Sequence, residues 1–421
     1  MENDEFRKIK DVAGFCKIKV PYYQNLLSRF ELNSVSDFGK IPLLTNKIYC
    51  NHTPPVSNSL LSREASGCFV FSSGGTTTEP RYILRDFADF DYQIQDYEGL
   101  NLGPNDTVIS LFMPGLWGIF TSVNITLIRL GCRIIPFGGA NLTEKDKHKI
   151  ADLIGQFRAN TLLGVPSTIL AVARFLFLNS HYQAICPLVN KIFTLGEEIR
   201  LSSLRFIRQV FPNAVIKSKY GTMESAGIAY QCRYLDRNHY HPFHNRFVEI
   251  VDTNSNQSLS SGKKGLIVVT TLNPRLIPLI RFSTGDIGWL FKKSCPCGEK
   301  QILKIGGRLQ DMVISASVHF SLDQIESIIS SFSELNPPVV FQIEITNPQG
   351  IDEIILRIET PKVTRRLKKE VLKKLYQEIT DIPEALFSGK ILRFEIDFVA
   401  IGSISRIPST GKIKKIVDLR K

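Results

Sequence analysis

One short segment of the chain concentrates residue types that bind phosphate. Residues 71–81 read FSSGGTTTEPR, with two serines, two glycines and three threonines before a positive charge. Successive Gly and Thr residues in a turn direct backbone N–H groups and hydroxyls at one place, as in sites that cradle phosphate oxygens. The segment is not a Walker A loop, and the Gly411-Lys412 pair does not form one because Ile413 stands where Ser or Thr is required. A plain polar turn is the alternative, so other segments must decide.

Three further polar segments follow predicted strands. They are Pro166-Ser167 after ANTLLGV, Gly196-Glu197-Glu198 after KIFTL, and Tyr220-Gly221-Thr222-Met223-Glu224 after NAVIKSK. If these strands are parallel, the three segments lie along one edge of the sheet. Ligands of such sheets bind beyond the carboxyl ends of the strands. We therefore expect this edge to carry the chemistry.

The elements that position these residues alternate between strand and helix. Between about residues 105 and 220, the runs TVISLF, CRIIPF, ANTLLG, KIFTL and NAVIKSK predict strands, and amphipathic segments such as SLRFIRQVF predict helices. This alternation is typical of an α/β fold in which helices cover a parallel sheet. CFVF and RYILR predict two strands joined by the phosphate segment, and the sequence from residue 247 is β-rich.

A pair of glycines predicts the division of the chain into domains. A chain of 421 residues exceeds the size at which one hydrophobic core usually keeps growing. Within GGRLQDM, Gly306 and Gly307 free the backbone as a hinge would. We expect a large domain over residues 1–306 and a small α+β domain over residues 307–421, which ends on the basic segment PSTGKIKKIVDLRK.

Composition excludes several classes of protein. Hydrophobic residues make up 43% and charged residues 22% of the chain, which is typical of a globular protein and excludes a largely disordered one. No secretory signal is visible, and the most apolar helical stretch, TILAVARFLFL, is short and contains Arg174, so no membrane span is predicted. Eight cysteines then indicate reduced thiols or metal ligands, and we expect a cytoplasmic location.

The net charge of +12 raises the question of an acidic partner. Lys and Arg are spread along the chain and no nucleic-acid-binding signature accompanies them, so nucleic acid is not predicted. The densest basic run, PKVTRRLKKEVLKKLYQEI, places Leu367, Val371 and Leu375 at helical spacing, which predicts a helix with a solvated basic face. A phosphate-rich small molecule or an acidic protein suits the charge.

Seven motifs of the chain occur together in the order of a known family. They are SGGTTTEPR, LGEE, YGTME, TTLNPRLIPLIRFSTGD, SCPCG, GGRLQDM and PSTGK. With WGIFTSVNITLIRLGCRIIPFGG, they resemble the acyl-adenylate-forming enzymes and, among them, the phenylacetate-coenzyme A ligase branch. The resemblance runs from about residue 67 to the end of the chain. One such match is weak evidence, whereas seven in order are strong evidence.

The resemblance implies an enzyme that converts a carboxylic acid and ATP into an acyl-adenylate and pyrophosphate. Such an enzyme must hold ATP in line with the acid and supply positive charge where negative charge gathers. The implied contacts of the ATP phosphates are Ser73, Gly74, Gly75, Thr76, Thr77 and Thr78, and those of the adenine are Gly196 and Glu197 in LGEE and Tyr220 and Gly221 in YGTME.

The remaining implied roles belong to four charged residues. Asp286 would accept the ribose hydroxyls, and Glu224 would bind Mg²⁺ through a carboxylate, a hard oxygen ligand. Lys412 would bridge the substrate carboxylate and the α-phosphate, while Arg308 would reach the ribose or phosphates near the hinge. Taken singly, Asp286 or Glu224 could cap a turn or helix and Lys412 could be a surface charge; their joint occurrence favours the catalytic roles.

Relatives of this kind then rotate the small domain and pass the acyl group to a thiol, usually that of coenzyme A. The chain departs from the family pattern at four places: Ala316-Ser317 replaces an Arg-Gly pair in the acceptor loop, Gln310 replaces the hinge Asp, Met223 replaces a Ser or Thr, and Thr78 replaces a Gly. The first two bear on the acceptor. The last two remove a hydroxyl and a permissive backbone position, which bears on the rate of adenylation.

The resemblance also implies a zinc site. Some members of this branch have one beside the adenylation pocket, and CPCG supplies Cys295 and Cys297 here. Cys232 lies upstream with His239, His241 and His244 as candidate imidazoles, of which we favour His241. Three thiolates and one imidazole make a closed tetrahedral site of structural type. Free thiols beside a surface histidine are the alternative, because Cys-x-Cys spacing alone is weak evidence.

Three hypotheses for the function remain at this point. The first is an ATP-dependent acid activator that forms a coenzyme A thioester, as a monomer or homodimer. The second delivers the acyl group to an acidic carrier protein, which suits the positive charge, or to an amine. The third is an inactive nucleotide-binding regulatory protein, against which the four charged residues argue. Residues 115–121, with Trp117 and Phe120, are expected to border the acid pocket and to permit an aromatic or other apolar acid.

Overall fold

The chain divides into two compact units. The computed structural model describes residues 2–73, 81–90, 102–139, 142–196, 199, 201–308, 312–315, 318–335, 339–348, 350–361, 364–400, 402–404 and 415–420. The units are Met1–Gly306 and Gly307–Lys421, and the boundary falls inside the glycine pair of GGRLQDM.

The first unit combines helices with one large sheet. Its helices are α1 Glu2–Lys19, α2 Pro21–Leu27, α3 Val35–Phe38, α4 Asn46–His52, α5 Ile119–Arg129, α6 Glu144–Phe157, α7 Pro166–Leu178 and α8 Leu201–Val210. Its strands are β1 Cys68–Ser73, β2 Arg81–Asp86, β3 Thr107–Ser110, β4 Arg133–Ile135, β5 Thr161–Gly164, β6 Lys191–Thr194, β7 Val215–Thr222, β8 Ala226–Tyr230, β9 His239–Pro242, β10 Arg246–Val251, β11 Lys264–Thr271, β12 Phe282–Lys292 and β13 Gln301–Arg308.

Eleven of these strands form one sheet in the order β10-β11-β12-β13-β9-β8-β7-β6-β5-β3-β4. The strands from β7 to β4 pair in parallel, which confirms the predicted α/β fold class and the five predicted strands. Successive strand residues point to opposite faces. Leu162 packs with α6, α7 and α8 on one face, and Leu163 packs with α5 on the other, so helices cover both faces.

A tight turn joins the parallel half of the sheet to the antiparallel half. β7 pairs with β8 antiparallel, with a register shift between Tyr220 and Gly221. A Cβ at Gly221 would lie 2.1 Å from the carbonyl oxygen of Ala226, so only glycine lets the two strands approach this closely. The turn therefore carries Glu224, two residues after the end of β7, at the carboxyl edge of the parallel strands.

The antiparallel half continues through β8, β9, β13, β12, β11 and β10, and its inner face packs against the N-terminal helices. One charged side chain is part of this packing. Arg281 is 1% exposed, its Nε donates to Glu249 at 3.2 Å, and its remaining nitrogens donate to backbone carbonyls. A buried guanidinium needs this full set of acceptors, because an unpaired buried charge is very costly.

β1 and β2 form a separate antiparallel pair in which Ser73 lies opposite Arg81. The strand predictions for CFVF and RYILR are therefore confirmed. Phe71 on β1 packs directly against the backbone of Gly118 at the start of α5. The pair thus carries the two ends of the phosphate segment to the neighbourhood of α5.

The second unit has its own core. It contains α9 Leu322–Ile329, α10 Arg365–Glu378, α11 Asp381–Phe387 and the strands β14 Met312–Ser315, β15 Val318–Ser321, β16 Phe341–Thr346, β17 Asp352–Glu359, β18 Ile391–Val399 and β19 Ile416–Asp418. Four strands form a sheet in the order β18-β17-β16-β19, and the helices bury their apolar faces on it. α10 confirms the amphipathic helix predicted for the basic run, since Leu367, Val371 and Leu375 are buried.

Among the residues that the structure describes, none of the helices has both the length and the apolar character needed to cross a membrane.

Candidate active site

The phosphate segment meets the predicted metal ligand through an ion pair. Arg81, the first residue of β2, donates from Nε to Oε1 of Glu224 at 2.9 Å. The Glu224 side chain is 3% exposed and that of Arg81 is 27% exposed, so the carboxylate is buried and its partner is partly accessible to solvent. The second carboxylate oxygen makes no hydrogen bond within the described part of the chain. A hard oxygen donor is therefore available beside the end of the phosphate segment.

The predicted phosphate contacts themselves fall largely outside the described residues. Ser73 is the last residue of β1, and its backbone pairs with Arg81. Gly74, Gly75, Thr76, Thr77 and Thr78 lie outside the described residues, as does Glu197. The structure thus fixes where the segment leaves β1 and where it enters β2, and those two ends lie opposite each other.

The predicted adenine and ribose contacts also meet. Tyr220 on β7 donates from its hydroxyl to Oδ2 of Asp286 on β12 at 2.6 Å. Asp286 is 6% exposed, and its backbone N–H donates to Oγ1 of Thr284, which fixes the strand at that point. Because Tyr220 and Glu224 are four residues apart on one turn, the ion pair and this hydrogen bond belong to one site. Gly221, between them, provides the close approach of β7 and β8.

Three buried arginines hold the backbone on both sides of Glu224, and sequence analysis assigned them no role. Arg85 donates to the carbonyl of the residue before Glu224, and Arg275 and Arg246 donate to the carbonyl of the residue after it, at 3.0 and 3.2 Å. Burial raises the pKa of Asp89 nearby, against the opposing effect of Arg275 and Arg85. The carboxylate of Glu224 is therefore presented from a rigid turn in a strongly positive environment.

Trp117 links the remaining predicted segments. Gly196 comes two residues after β6 and has a φ of +83°, a left-handed conformation that glycine adopts without strain. If Gly196 carried a Cβ, the nearest atoms to it would be those of Trp117 and Val165, at 3.7 Å, so Trp117 lies beside this glycine. On the other side of Trp117, the carbonyl of Leu116 accepts a hydrogen bond from the Ser72 N–H at 2.7 Å. The turn around Trp117 therefore lies between the phosphate segment and the LGEE segment.

A second cluster in the same unit contains Cys232, His241, Cys295 and Cys297, whose ligand atoms all lie within 4.8 Å of one another. Cys232 Sγ lies 3.4 Å from His241 Nε2 and 3.8 Å from Cys295 Sγ, and Cys297 Sγ lies 3.3 Å from the same imidazole nitrogen. Three sulfurs and one nitrogen are the donors of structural zinc sites. The donor set fits zinc.

The surroundings of this cluster orient its ligands. His241 donates from Nδ1 to the carbonyl of Gln301 at 2.6 Å, which leaves Nε2 without a proton and directed at the sulfurs. The Tyr234 N–H donates to Cys232 Sγ at 3.4 Å, which holds this sulfur in place. The cluster includes His241; the alternative candidate His239 is a neighbour on β9 that is not part of it.

Other predicted site residues lie at the unit boundary or outside the described chain. Arg308 is the last residue of β13 and is exposed. Lys412, Gln310 and Ala316-Ser317 lie outside the described residues.

Comparisons with known proteins agree with this architecture. The family model described as AMP-binding enzyme matches residues 33–273, and the model described as AMP-binding enzyme C-terminal domain matches residues 323–420. The phenylacetate-coenzyme A ligase of Thermus thermophilus is 26% identical, over 98% of this chain and 95% of its own length. The enzyme of the same name from Aromatoleum evansii is 24% identical, over 93% and 87%.

The fold has solved counterparts. A crystal structure of 2-hydroxyisobutyryl-CoA ligase in the postadenylation state, in complex with 2-HIB-AMP, aligns with a TM-score of 0.77 and 18% identity, covering 99% of this chain and 89% of the other. At this identity the likeness establishes the fold.

Proposed function

The chain belongs to the AMP-binding enzyme family, and from that premise we propose that it activates a carboxylic acid with ATP and transfers the acyl group to the thiol of coenzyme A. The observation that carries the proposal is the ion pair between Arg81 and Glu224, because it joins the end of the phosphate segment to the turn that also bears Tyr220. Two motif residues that are 143 positions apart are thus in contact, which supports a common ATP site at this turn.

The first half-reaction forms a bond between a carboxylate oxygen of the acid and the α-phosphorus of ATP, and the bond from that phosphorus to the pyrophosphate breaks. Negative charge gathers on the phosphates, so fixed positive groups aimed at them lower the barrier. Arg81, which is partly exposed beside Glu224, would provide such a group, and the buried arginines behind Glu224 would hold the turn that carries it. Glu224 would hold Mg²⁺, which supplies further charge neutralisation when bound. Lys412 would bridge the acid and the α-phosphate.

The nucleoside would be held by the Tyr220–Asp286 pair. The hydroxyl of Tyr220 fixes one carboxylate oxygen of Asp286, and this carboxylate would accept hydrogen bonds from the ribose hydroxyls. The ring of Tyr220 would stack on the adenine, beside Gly196. In the second half-reaction the coenzyme A sulfur bonds to the acyl carbon, the bond from that carbon to the AMP oxygen breaks, and AMP leaves.

The acid would be aromatic or otherwise apolar. Trp117 lies in the turn before α5, Phe71 packs against Gly118 of that turn, and Met223, the residue before Glu224, packs against the cluster of Phe71, Ile83 and Phe90. An apolar wall beside a phosphate site suits an acid whose carboxylate faces ATP and whose remainder is hydrophobic. The two relatives compared above carry the name of an aromatic acid, which supports this assignment.

The cysteine and histidine cluster would hold one structural Zn²⁺. Its four donors would close the coordination shell and leave no open position for catalysis. The zinc would tie the segment after β8 to the turn between β12 and β13, close to the strands that carry Tyr220 and Asp286.

Exchange of labelled pyrophosphate into ATP tests the first half-reaction. Phenylacetic acid, other aromatic acids, aliphatic acids and amino acids form the panel, and we expect exchange with at least one apolar acid. Lys412→Ala should abolish the exchange and leave ATP binding, measured by calorimetry, largely intact. Absence of exchange across the whole panel would contradict the proposal. With an active acid, product analysis with coenzyme A, a carrier protein and an amine identifies the acceptor.

A further inference from the structure

The side chain of Gln231 joins the cysteine and histidine cluster to strand β7. Gln231 is 3% exposed and lies between Tyr230, the last residue of β8, and Cys232, the first cysteine of the cluster. Its Oε1 accepts the backbone N–H of Ser218 on β7 at 2.7 Å. Its Nε2 donates to the carbonyl of Arg237 at 2.6 Å. The buried amide group is therefore hydrogen-bonded on both sides.

The bond to Arg237 ends in a chain segment whose two ends carry metal ligands. Residues 233–238 follow Cys232 directly and lead into β9, which carries His241. Arg237 has a φ of +56°, a left-handed conformation that is unfavourable for a residue with a Cβ. Such a conformation persists only where surrounding contacts fix it. A metal held by the cluster would therefore restrain the segment to which Gln231 donates.

Ser218, on the other side of the Gln231 amide, lies next to both predicted adenine segments. Ser218 precedes Tyr220 by two residues on β7. Its hydroxyl donates to the carbonyl of Thr194 at 3.0 Å, and Thr194 precedes Gly196 by two residues. Both residues of this hydrogen bond are buried, so water does not replace it. A displacement of Ser218 would therefore reach Tyr220 and Gly196 together.

Other side chains also connect β7 to this region, but they are weaker links. The hydroxyl of Tyr240 on β9 lies 3.5 Å from Oγ of Ser218, at the limit for a hydrogen bond. Lys217 on β7 donates to the carbonyl of Leu235 at 2.8 Å, but its side chain is long, flexible and only partly buried. The two bonds of Gln231 are short and lie in the interior, where hydrogen bonds are strongest.

We propose that Gln231 is a positioning residue that couples the cysteine and histidine cluster to the adenine-binding segments, so that zinc bound at the cluster raises the affinity for ATP. The inference rests on the proposed function, in which Tyr220 and Gly196 contact the adenine. Zinc restrains residues 233–238, and Gln231 passes this restraint to Ser218. The coupling is reciprocal by thermodynamic linkage, so bound ATP raises the affinity for zinc by the same factor.

Calorimetric titration with MgATP measures the coupling without an acid and without turnover. The zinc-loaded parent should bind MgATP about tenfold more tightly than parent protein from which a chelator has removed the zinc, both titrated well below the Tm. In competition with a chromogenic chelator, saturating MgATP should raise the affinity for zinc by the same factor. The inference is overturned if chelation lowers the Tm but leaves the affinity for MgATP unchanged, or if the protein holds no zinc.

Gln231→Met removes both hydrogen-bonding groups of the amide and keeps a side chain of similar length. The zinc-loaded variant should bind MgATP about as weakly as the chelated parent, and chelation should then change its affinity by less than about twofold. The variant should still hold one zinc, because Gln231 is not a ligand. Pyrophosphate exchange with an active acid should show a raised KM for ATP and a kcat close to that of the parent. Parental affinity for MgATP, or a parental response to chelation, would overturn the inference.

Asn160→Leu is the matched control. Asn160 accepts the Thr107 N–H at 3.0 Å and donates to Oδ1 of Asp106 at 3.1 Å, so this substitution also removes two hydrogen bonds from the first unit. These bonds lie at the amino ends of β3 and β5, opposite to the edge that carries the site. We expect a lower Tm with unchanged affinity for MgATP and an unchanged response to zinc. Equal weakening of MgATP binding by Asn160→Leu and Gln231→Met would mean a general structural effect and would overturn the inference.

Ser218→Ala covers the case in which Gln231→Met does not fold. It removes the hydroxyl that reaches Thr194, keeps the backbone N–H that Gln231 accepts, and should weaken the binding of MgATP by the zinc-loaded protein. Parental affinity in this variant would overturn the inference. Failure of the proposed function gives a different result, because absence of exchange with every acid leaves MgATP binding and its response to zinc intact. A zinc-loaded parent that does not bind MgATP would overturn both proposals.

Discussion

Removal of zinc from the cluster of Cys232, His241, Cys295 and Cys297 should lower the thermal stability of the protein. The cluster joins chain segments that are distant in sequence, and Cys232 and Cys295 are 63 residues apart. Without a metal, the three sulfurs and the imidazole are held together only by weak hydrogen bonds. The folded state then loses a cross-link between the segment after β8 and the turn before β13.

Two estimates of the loss agree. If zinc acts as a cross-link, closing a loop of roughly 60 residues restricts the unfolded chain by about 4 kcal/mol. If zinc instead binds only the folded protein, at a concentration 1,000-fold above its Kd, it stabilises that state by about 4 kcal/mol as well. In a domain of this size each kcal/mol shifts the Tm by about 2 to 4 °C. We therefore expect chelation to lower the Tm by about 10 °C.

Scanning calorimetry and metal analysis measure these quantities. The protein as purified should contain one zinc per chain, and dialysis against a strong chelator should remove it together with the extra stability. Addition of zinc should restore the Tm. Cys232→Ala should abolish binding, whereas Cys132→Ala, which changes a buried thiol outside the cluster, should keep one zinc per chain.

The reasoning is refuted if protein expressed with excess zinc carries no zinc, or if chelation leaves the Tm unchanged. It is also refuted if Cys132→Ala loses zinc as readily as Cys232→Ala. These readouts depend on metal content and unfolding, so they hold whatever acid the enzyme activates.

Two further predictions concern the ATP site. Glu224→Gln should lower the maximal rate of pyrophosphate exchange by about 100-fold or more at saturating Mg²⁺, because it removes a charged ligand where charge develops. As a control, Arg81→Lys keeps a cation near Glu224 and should lower this rate much less. Equal exchange rates for Glu224→Gln and the parent would contradict the role of this carboxylate. Gly196→Ala should cost about 1 to 2 kcal/mol of stability because a residue with a Cβ is strained in the left-handed backbone of this position, whereas the new methyl group would lie in ordinary van der Waals contact with Trp117. A thermal melt measures the loss, and a parental Tm would contradict the prediction.

Local patterns were sufficient for the strands of the parallel sheet. β5 and β6 are short apolar segments flanked by polar or turn-forming residues. All residues of β5 and all but the first of β6 are buried, so hydrophobic composition alone identifies them as strands. The antiparallel half is different. β13 lies between β12 and β9 in the sheet, although β9 precedes β13 by about 60 residues in the chain. Nothing in the sequence of β9 or β13 indicates that these two strands pair. Such pairings depend on the closure of the whole sheet.

The site residues that belong to sequence motifs could be predicted, whereas those that reach the site only through tertiary packing could not. Tyr220 and Glu224 stand in one motif, and Asp286 ends another, so the family order identifies them. Arg85 stands in a predicted strand and Arg275 in the motif TTLNPRLIPLIRFSTGD, and neither segment predicts that its arginine is buried, since arginine is normally solvated. Their burial follows from the packing of β2 and the β11–β12 connection around one turn, which is a property of the fold.

The positive charges of the chain differ in how strongly they act, because some are solvated and others are buried. The dense basic run is a solvated helix face in the second unit, where water and salt screen each charge. Arg85, Arg246 and Arg275 instead surround Glu224 inside the first unit, where water is excluded and each charge acts more strongly. Their hydrogen bonds to the carbonyls of Met223 and Ser225 fix the turn that carries Glu224, so a ligand bound at this carboxylate would meet a group that needs no reorganisation. For the presentation of Glu224, three buried guanidinium groups at one turn therefore matter more than the total count of Lys and Arg.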